Sequence, residues 1–267
     1  MEPSSPGVCE NIINLGDCWD SAVLREYSSE INAVNSVYKG QQKQATACIR
    51  AAAAFITDTE QIARRALLPE KIEAFCKSFI KRELKKDVFA RIGGEQIRLF
   101  SAVTLDGITF FEQSIAALAD KIFVVEDKPG AAANIIMNTL RAVFNKEKVA
   151  HIAGISPLFP DAQTDQLILP ESKIAVVRQN GLLKCEGLEP YRTFHGKRFY
   201  DCEVLADSRK KIAFNKKASA ELLSAASTAM REAKNTHDIL ESYYIPAMDF
   251  NKTDAIFEKL KNEIFIK

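Results

Sequence analysis

The stretch Lys121-Ile122-Phe123-Val124-Val125-Glu126-Asp127-Lys128-Pro129-Gly130-Ala131-Ala132-Ala133-Asn134 decides how this sequence is read. Its opening residues run apolar without alternation, the pattern of a strand covered on both faces in the middle of a sheet. Pro129-Gly130 then punctuates the chain, and apolar residues recur at helical spacing from Ala131 to Phe144. Strand, tight turn and helix in that order make the frame of a phosphate-binding loop, which in active form reads G-x-x-x-x-G-K-[ST]. The glycines let backbone N–H groups face the phosphates, the lysine neutralises the outer phosphates, and the hydroxyl ligates magnesium. Aligned on Pro129-Gly130, Asp127 takes the first glycine position, Ala132 the second, Ala133 the lysine and Asn134 the Ser/Thr.

Each departure works against a nucleotide. Ala133 lacks the cation, whose charge-assisted contacts contribute roughly 1.5–3 kcal/mol each. Ala132 adds a methyl group where backbone approaches the ligand. Glu126 and Asp127 set two carboxylates where phosphate charge would sit. A helix N-terminus still favours an anion, by only about 0.3–1 kcal/mol. The expectation is therefore no productive MgATP binding at residues 127 to 134. Taken alone, the turn is also accounted for by an ordinary strand-to-helix connection with no nucleotide ancestry.

Working outward, strands and helices alternate around this stretch. Residues 98 to 103 read as a strand, 109 to 119 as a helix after the Asp106-Gly107 turn, and 150 to 155, 166 to 169, 174 to 177 and 199 to 204 as further strands. This pattern predicts a layered α/β domain from roughly 95 to 207 with a parallel-type sheet. Residues 11 to 16 read as a short strand or buried extended segment. Residues 20 to 86 read as a helical hairpin or small bundle, with one helix from Asp20 or Ser21, the pattern resuming after Gly40, and another opening at Pro69. Lys77, Lys81, Arg82, Lys85 and Lys86 form its outer, solvated face rather than a nucleic-acid contact. Residues 208 to 267 read as C-terminal helices, 218 to 243 and 253 to 264. A faint internal repeat pairs Asp20-Ser21 with Asp207-Ser208, and residues 11 to 16 with 198 to 203.

Composition narrows the class. Among 267 residues, 47% are hydrophobic and 27% charged, enough apolar material for a packed core. Lys plus Arg (36) nearly cancel Asp plus Glu (35), so net charge argues for neither nucleic acid nor membrane. Six cysteines without a C-x-x-C pair read as reduced, mostly buried small apolar side chains. No signal segment or membrane-length apolar run is seen, and the expectation is a cytoplasmic protein.

Other candidates read as structural. His151, His195 and His237 are scattered and make no metal triad. Asp165 and Glu171 flank the apolar Leu167-Ile168-Leu169, where a carboxylate at a strand end can position magnesium, or can simply be solvated. Ser101 and Ser156 lack a nucleophile elbow. Tyr243 and Tyr244 pack the last helix back on the body, or anchor a partner. No catalytic residue and no metal ligand is assigned.

Four further stretches carry a resemblance: residues 10 to 20 (Glu-Asn-Ile-Ile-Asn-Leu-Gly-Asp-Cys-Trp-Asp), 99 to 107 (Leu-Phe-Ser-Ala-Val-Thr-Leu-Asp-Gly), 165 to 171 (Asp-Gln-Leu-Ile-Leu-Pro-Glu) and 243 to 250 (Tyr-Tyr-Ile-Pro-Ala-Met-Asp-Phe). With the loop, they resemble a family of bacterial predicted ATPases or nucleotide-kinase-like proteins built from two tandem P-loop halves. The resemblance implies a P-loop NTPase-like fold, with ATP and Mg as the family's cofactors. It implies that residues 1 to 20 are the tail end of a first half lying upstream. It also implies a protein partner or homo-oligomer that carries an intact loop. This sequence departs from the family's G-K-[ST] at Ala132, Ala133 and Asn134. The expected role is structural or regulatory, with a degenerate nucleotide site at Asp127, Lys128, Pro129, Gly130, Ala131, Ala132, Ala133 and Asn134. The alternatives are an ATPase or nucleotide kinase that uses Lys128 as its loop cation, and a helical protein-interaction module.

Overall fold

A computed structural model describes residues 12–84, 93–182, 185 and 187–265. The expectations for residues 1 to 11 and for Lys85 and Lys86 lie outside them. The chain divides into two compact units, Met1–Lys43 with Arg231–Lys267 and Gln44–Met230.

The second unit holds the sheet. Helix α2 (Ser28–Arg64) ends in it and α3 (Pro69–Glu83) follows. Then come strands β1 (Glu95–Arg98), β2 (Ser101–Thr104) and β3 (Gly107–Phe110), and helix α4 (Glu112–Leu118). Strand β4 (Lys121–Glu126) leads into α5 (Ala131–Lys146), and β5 (His151–Ile155), β6 (Thr164–Leu169), β7 (Ile174–Gln179) and β8 (Arg192–His195) complete the strands. Helix α6 (Cys202–Asp207) and the long α7 (Arg209–Tyr244) follow.

Six strands form one sheet in the order β1-β5-β6-β7-β4-β8, and β2 and β3 form a separate antiparallel hairpin. Five strands run in one direction. Strand β6 opposes its neighbours β5 and β7, so the sheet is mixed and only mostly parallel. A parallel-type sheet was expected, but the short connection from Leu169 to Ile174 leaves no room for the helical crossover that parallel strands need.

The inner strands β4, β6 and β7 are buried on both faces, which explains the unbroken apolar run of β4. Phe123 and Val125 point to one side with Leu167, Val176 and Phe194, against α3 and the Ile136, Met137 and Leu140 stripe of α5. Val124 and Ile122 point to the other with Ile168, Ala175 and Val177, against Ile115 and Ala119. Alternate residues of one strand thus serve two cores, each burial contributing about 1.5–3 kcal/mol for a full-sized apolar side chain.

Several elements differ from the sequence reading. Residues 11 to 16 make no described strand; Leu15–Cys18 is a 3-10 turn. Gly40 does not interrupt α2, because one glycine costs a helix only about 1 kcal/mol and the surrounding residues are good helix formers. The segment 199 to 204 is not a strand, because Asp201 caps a helix there by accepting from the N–H groups of Glu203 and Val204. Residues 109 and 110 belong to β3 rather than to a helix.

In the first unit, α1 (Ser21–Glu26) is capped by Asp20, and α8 (Phe250–Phe265) ends the chain's described part. The backbone of Asp20 donates to Ala247 O at 2.7 Å and that of Asp249 to Cys18 O at 2.8 Å. Trp19 lies against Tyr244 and Tyr27 against Tyr243, with ring centroids 5.1 and 5.5 Å apart. Both tyrosines are therefore internal packing groups of that unit.

Candidate functional site

The carboxyl ends of the parallel strands are where α/β sheets usually receive a ligand. Here β4 delivers Asp127 to that edge, β7 delivers Arg178, and antiparallel β6 begins there with Thr164 and Asp165. Gly130 is the N-cap of α5, with φ 91°, a left-handed conformation natural to glycine. Having no side chain, it cannot cap the helix itself.

Asp127 does so instead. It is buried, and its Oδ2 accepts the N–H of Ala133 at 2.9 Å. The Tyr200 hydroxyl donates to the same carboxylate oxygen at 2.9 Å and accepts the N–H of Ala132 at 2.9 Å. Two of the free amides that begin α5 are thus taken by side chains of the chain itself. Burial pushes the Asp127 carboxyl above its ordinary range, opposed by the bonds from Ala133 and Tyr200. The Tyr200 hydroxyl is also pushed up, by burial and by the neighbouring carboxylate. Gly196 closes the other side: a Cβ there would fall 2.8 Å from that of Asp127.

Beside this cap lies a buried ionic network. The guanidinium of Arg178, itself 1% exposed, donates from Nη2 to Glu60 Oε1 at 2.6 Å and from Nη1 to Gln163 Oε1 at 2.6 Å. It lies 3.5 Å from Asp165 Oδ1. Glu60, reaching in from α2, also accepts from Asn134 Nδ2 at 3.0 Å and from Gln163 Nε2. Burial raises the Asp165 carboxyl, and the charge of Arg178 and a bond from Ser156 hold it down. The buried cation beside the cap is thereby committed to internal carboxylates.

The eight loop residues fall into two groups. Asp127, Gly130, Ala131, Ala132, Ala133 and Asn134 are buried, and Pro129 is half-buried. Lys128 is exposed, bordering an outer cleft of ≈ 510 Å³ with Glu126, His195, Lys197 and Arg209. His195 Nδ1 is 2.7 Å from Glu126 Oε2, so that carboxylate faces the cleft rather than the cap.

Asp165 and Glu171 do not meet. The first sits at the start of β6, and the second lies past its far end in a 3-10 turn. His151 is buried, bonded to Val149 O and near Glu95. Among the described residues, one group of ligand-type side chains gathers its atoms within 4.8 Å: His237, Asp238 and Glu241, all exposed on α7. Asp238 there already pairs with Lys234 at 2.9 Å. Burial pushes the thiols of Cys76 and Cys185 up to about 11 and about 12, which leaves neither poised as a nucleophile.

Four residues of the network escaped the sequence reading: Glu60, Gln163, Arg178 and Tyr200. Two of them carried a signal. Arg178 closes the apolar run Ile174-Ala175-Val176-Val177 while still within the strand, and Glu60 follows the Ala-rich half of α2 one turn after Ile56. A charge inside an apolar face needs a partner, and each supplies the other's.

No helix among the described residues is long and apolar enough to cross a membrane. Comparison with protein-family models, with curated proteins and with solved structures returns no match for this chain.

Proposed function

We propose that this chain is a non-hydrolysing protein of P-loop ancestry, with a structural or regulatory role, whose phosphate seat is filled by its own side chains. The observation that supports this reading is the pair of bonds at the start of α5. The Asp127 carboxylate accepts from Ala133 N–H, and the Tyr200 hydroxyl accepts from Ala132 N–H. Those positions are where the loop's second glycine and lysine would stand. An internal carboxylate there offers the helix N-terminus the anion it favours, and it repels any phosphate that approaches.

Calorimetric titration with MgATP, and separately with magnesium and orthophosphate, tests the proposal. The expected result is no heat of binding up to millimolar ligand. Micromolar MgATP binding that disappears in Lys128→Ala would overturn it in favour of an active site using the exposed lysine.

A further inference from the structure

We propose that the groove between α3 and the edge strand β8 binds an acidic, extended polypeptide segment, which adds to the sheet as a further strand. This site lies outside the buried cap and does not rest on the reading of it.

The first support is charge. Two adjoining cavities, ≈ 360 and ≈ 640 Å³, share Lys71, Arg192, Phe194 and Arg198 in their walls. Arg82 and Lys197 extend the cationic wall at either side. Among the described residues one carboxylate borders the groove, Glu83, and it is held by Lys121 at 2.6 Å. None of the five cations has a carboxylate partner among the described residues. The Arg192 and Arg198 guanidiniums rest over the Phe194 and Phe199 rings, both at 5.3 Å. In a chain of net charge +1 this is a local concentration of one sign, which draws a complementary partner.

The second support is the backbone. Among the described residues, strand β8 is the last in the sheet order and pairs with β4 on one side only. Tyr191 N–H donates to Ile122 O at 2.8 Å. The even alternation of a parallel ladder then turns residues 193 and 195 toward β4 and leaves the backbone of Arg192 and Phe194 facing outward. An unpaired strand edge is a template for an incoming strand. Side chains on one face of that strand would project toward the arginines at every second position.

Nucleic acid fits less well. Sequence-tolerant binding of bases uses exposed aromatic platforms. Here Phe79 and Phe194 are buried, and the exposed Tyr191 ring is already covered by the Lys121 ammonium at 4.3 Å.

The test is fluorescence anisotropy with a labelled short peptide alternating glutamate and threonine, on the whole chain. Three outcomes together support the proposal. The peptide binds, binding weakens about tenfold in Arg192→Gln/Arg198→Gln, and it weakens similarly when consecutive central amides of the peptide are N-methylated. N-methylation alters only the probe, so it remains decisive if the double variant misfolds. No binding to the unmodified protein overturns the proposal, as does indifference to N-methylation. Tighter binding of an oligothymidylate of equal charge would overturn it in favour of a nucleic-acid surface.

Discussion

Tyr200 and Asp127, 73 positions apart, meet at the first turn of α5, with the hydroxyl 2.9 Å from the carboxylate Oδ2 and 2.9 Å from the N–H of Ala132. One side chain thus serves the acid that caps the helix and the amide that the acid does not reach. Neither group has access to solvent to replace the bond.

Replacing Tyr200 with Phe removes that hydroxyl with little change of shape. Leaving a buried carboxylate and a buried amide short of a partner costs about 2–3 kcal/mol. Urea unfolding should show a lower midpoint with the slope unchanged. An unchanged midpoint would mean that the two bonds contribute nothing.

Arg178→Met leaves Glu60 and Asp165 buried without their cation, at a cost of about 3–5 kcal/mol. Adding Glu60→Gln to Arg178→Met should recover part of the loss, giving a coupling energy of roughly 1–3 kcal/mol in a double-mutant cycle. Strict additivity of the two changes would contradict the network.

Gly130→Ala meets two obstacles. Its φ of 91° is unfavourable to any L side chain, and the new Cβ would lie 2.5 Å from Arg178 Nη2 and 2.9 Å from Glu60 Oε1. The expected loss is about 2–3 kcal/mol, read from thermal or urea unfolding, well above the effect of Ala at an unstrained glycine.

Two carboxylates should show opposite pH dependence. The bidentate contact with Arg141 holds Glu95 at about 2. Its contribution is present above the unfolded value of about 4.3 and is lost as pH falls toward that lower value. Glu95→Gln should therefore flatten the acid limb of stability, by about 1 kcal/mol because the pair is partly solvated. Asp127 is raised, so its stabilising share is present below the unfolded value and is lost as pH rises through the folded one. Asp127→Asn should gain on the wild type between acid and neutral pH. Denaturant midpoints followed across that range check both signs.

Much of the fold was legible because periodicity is local. The unbroken apolar run of β4 announced a strand buried on both faces, and the stripe of α5 announced a helix with one buried side. The hairpin β2–β3 was half seen, since the Asp106-Gly107 turn was plain but Thr109 and Phe110 carry no periodicity long enough to distinguish strand from helix. Residues 199 to 204 were misread for the same reason. An apolar Phe199-Tyr200 suggested a strand, while the cap supplied by Asp201 favoured a helix.

The sequence by itself determined that Ala133 stands where the G-K-[ST] pattern puts its lysine, because an absent ammonium group needs no coordinates to be noticed. It also determined that β4 is covered on both faces, because alternation, or its absence, is written residue by residue; its place beside the edge strand β8 was not written there. Only the tertiary structure decided what occupies the space that such a loop would give to phosphate. Glu60, Gln163, Arg178 and Tyr200 come from four separate parts of the chain. Their pairing depends on strand order and on where α2 ends, and hydrogen bonds of about 3 Å between distant residues leave no periodic trace in a linear sequence.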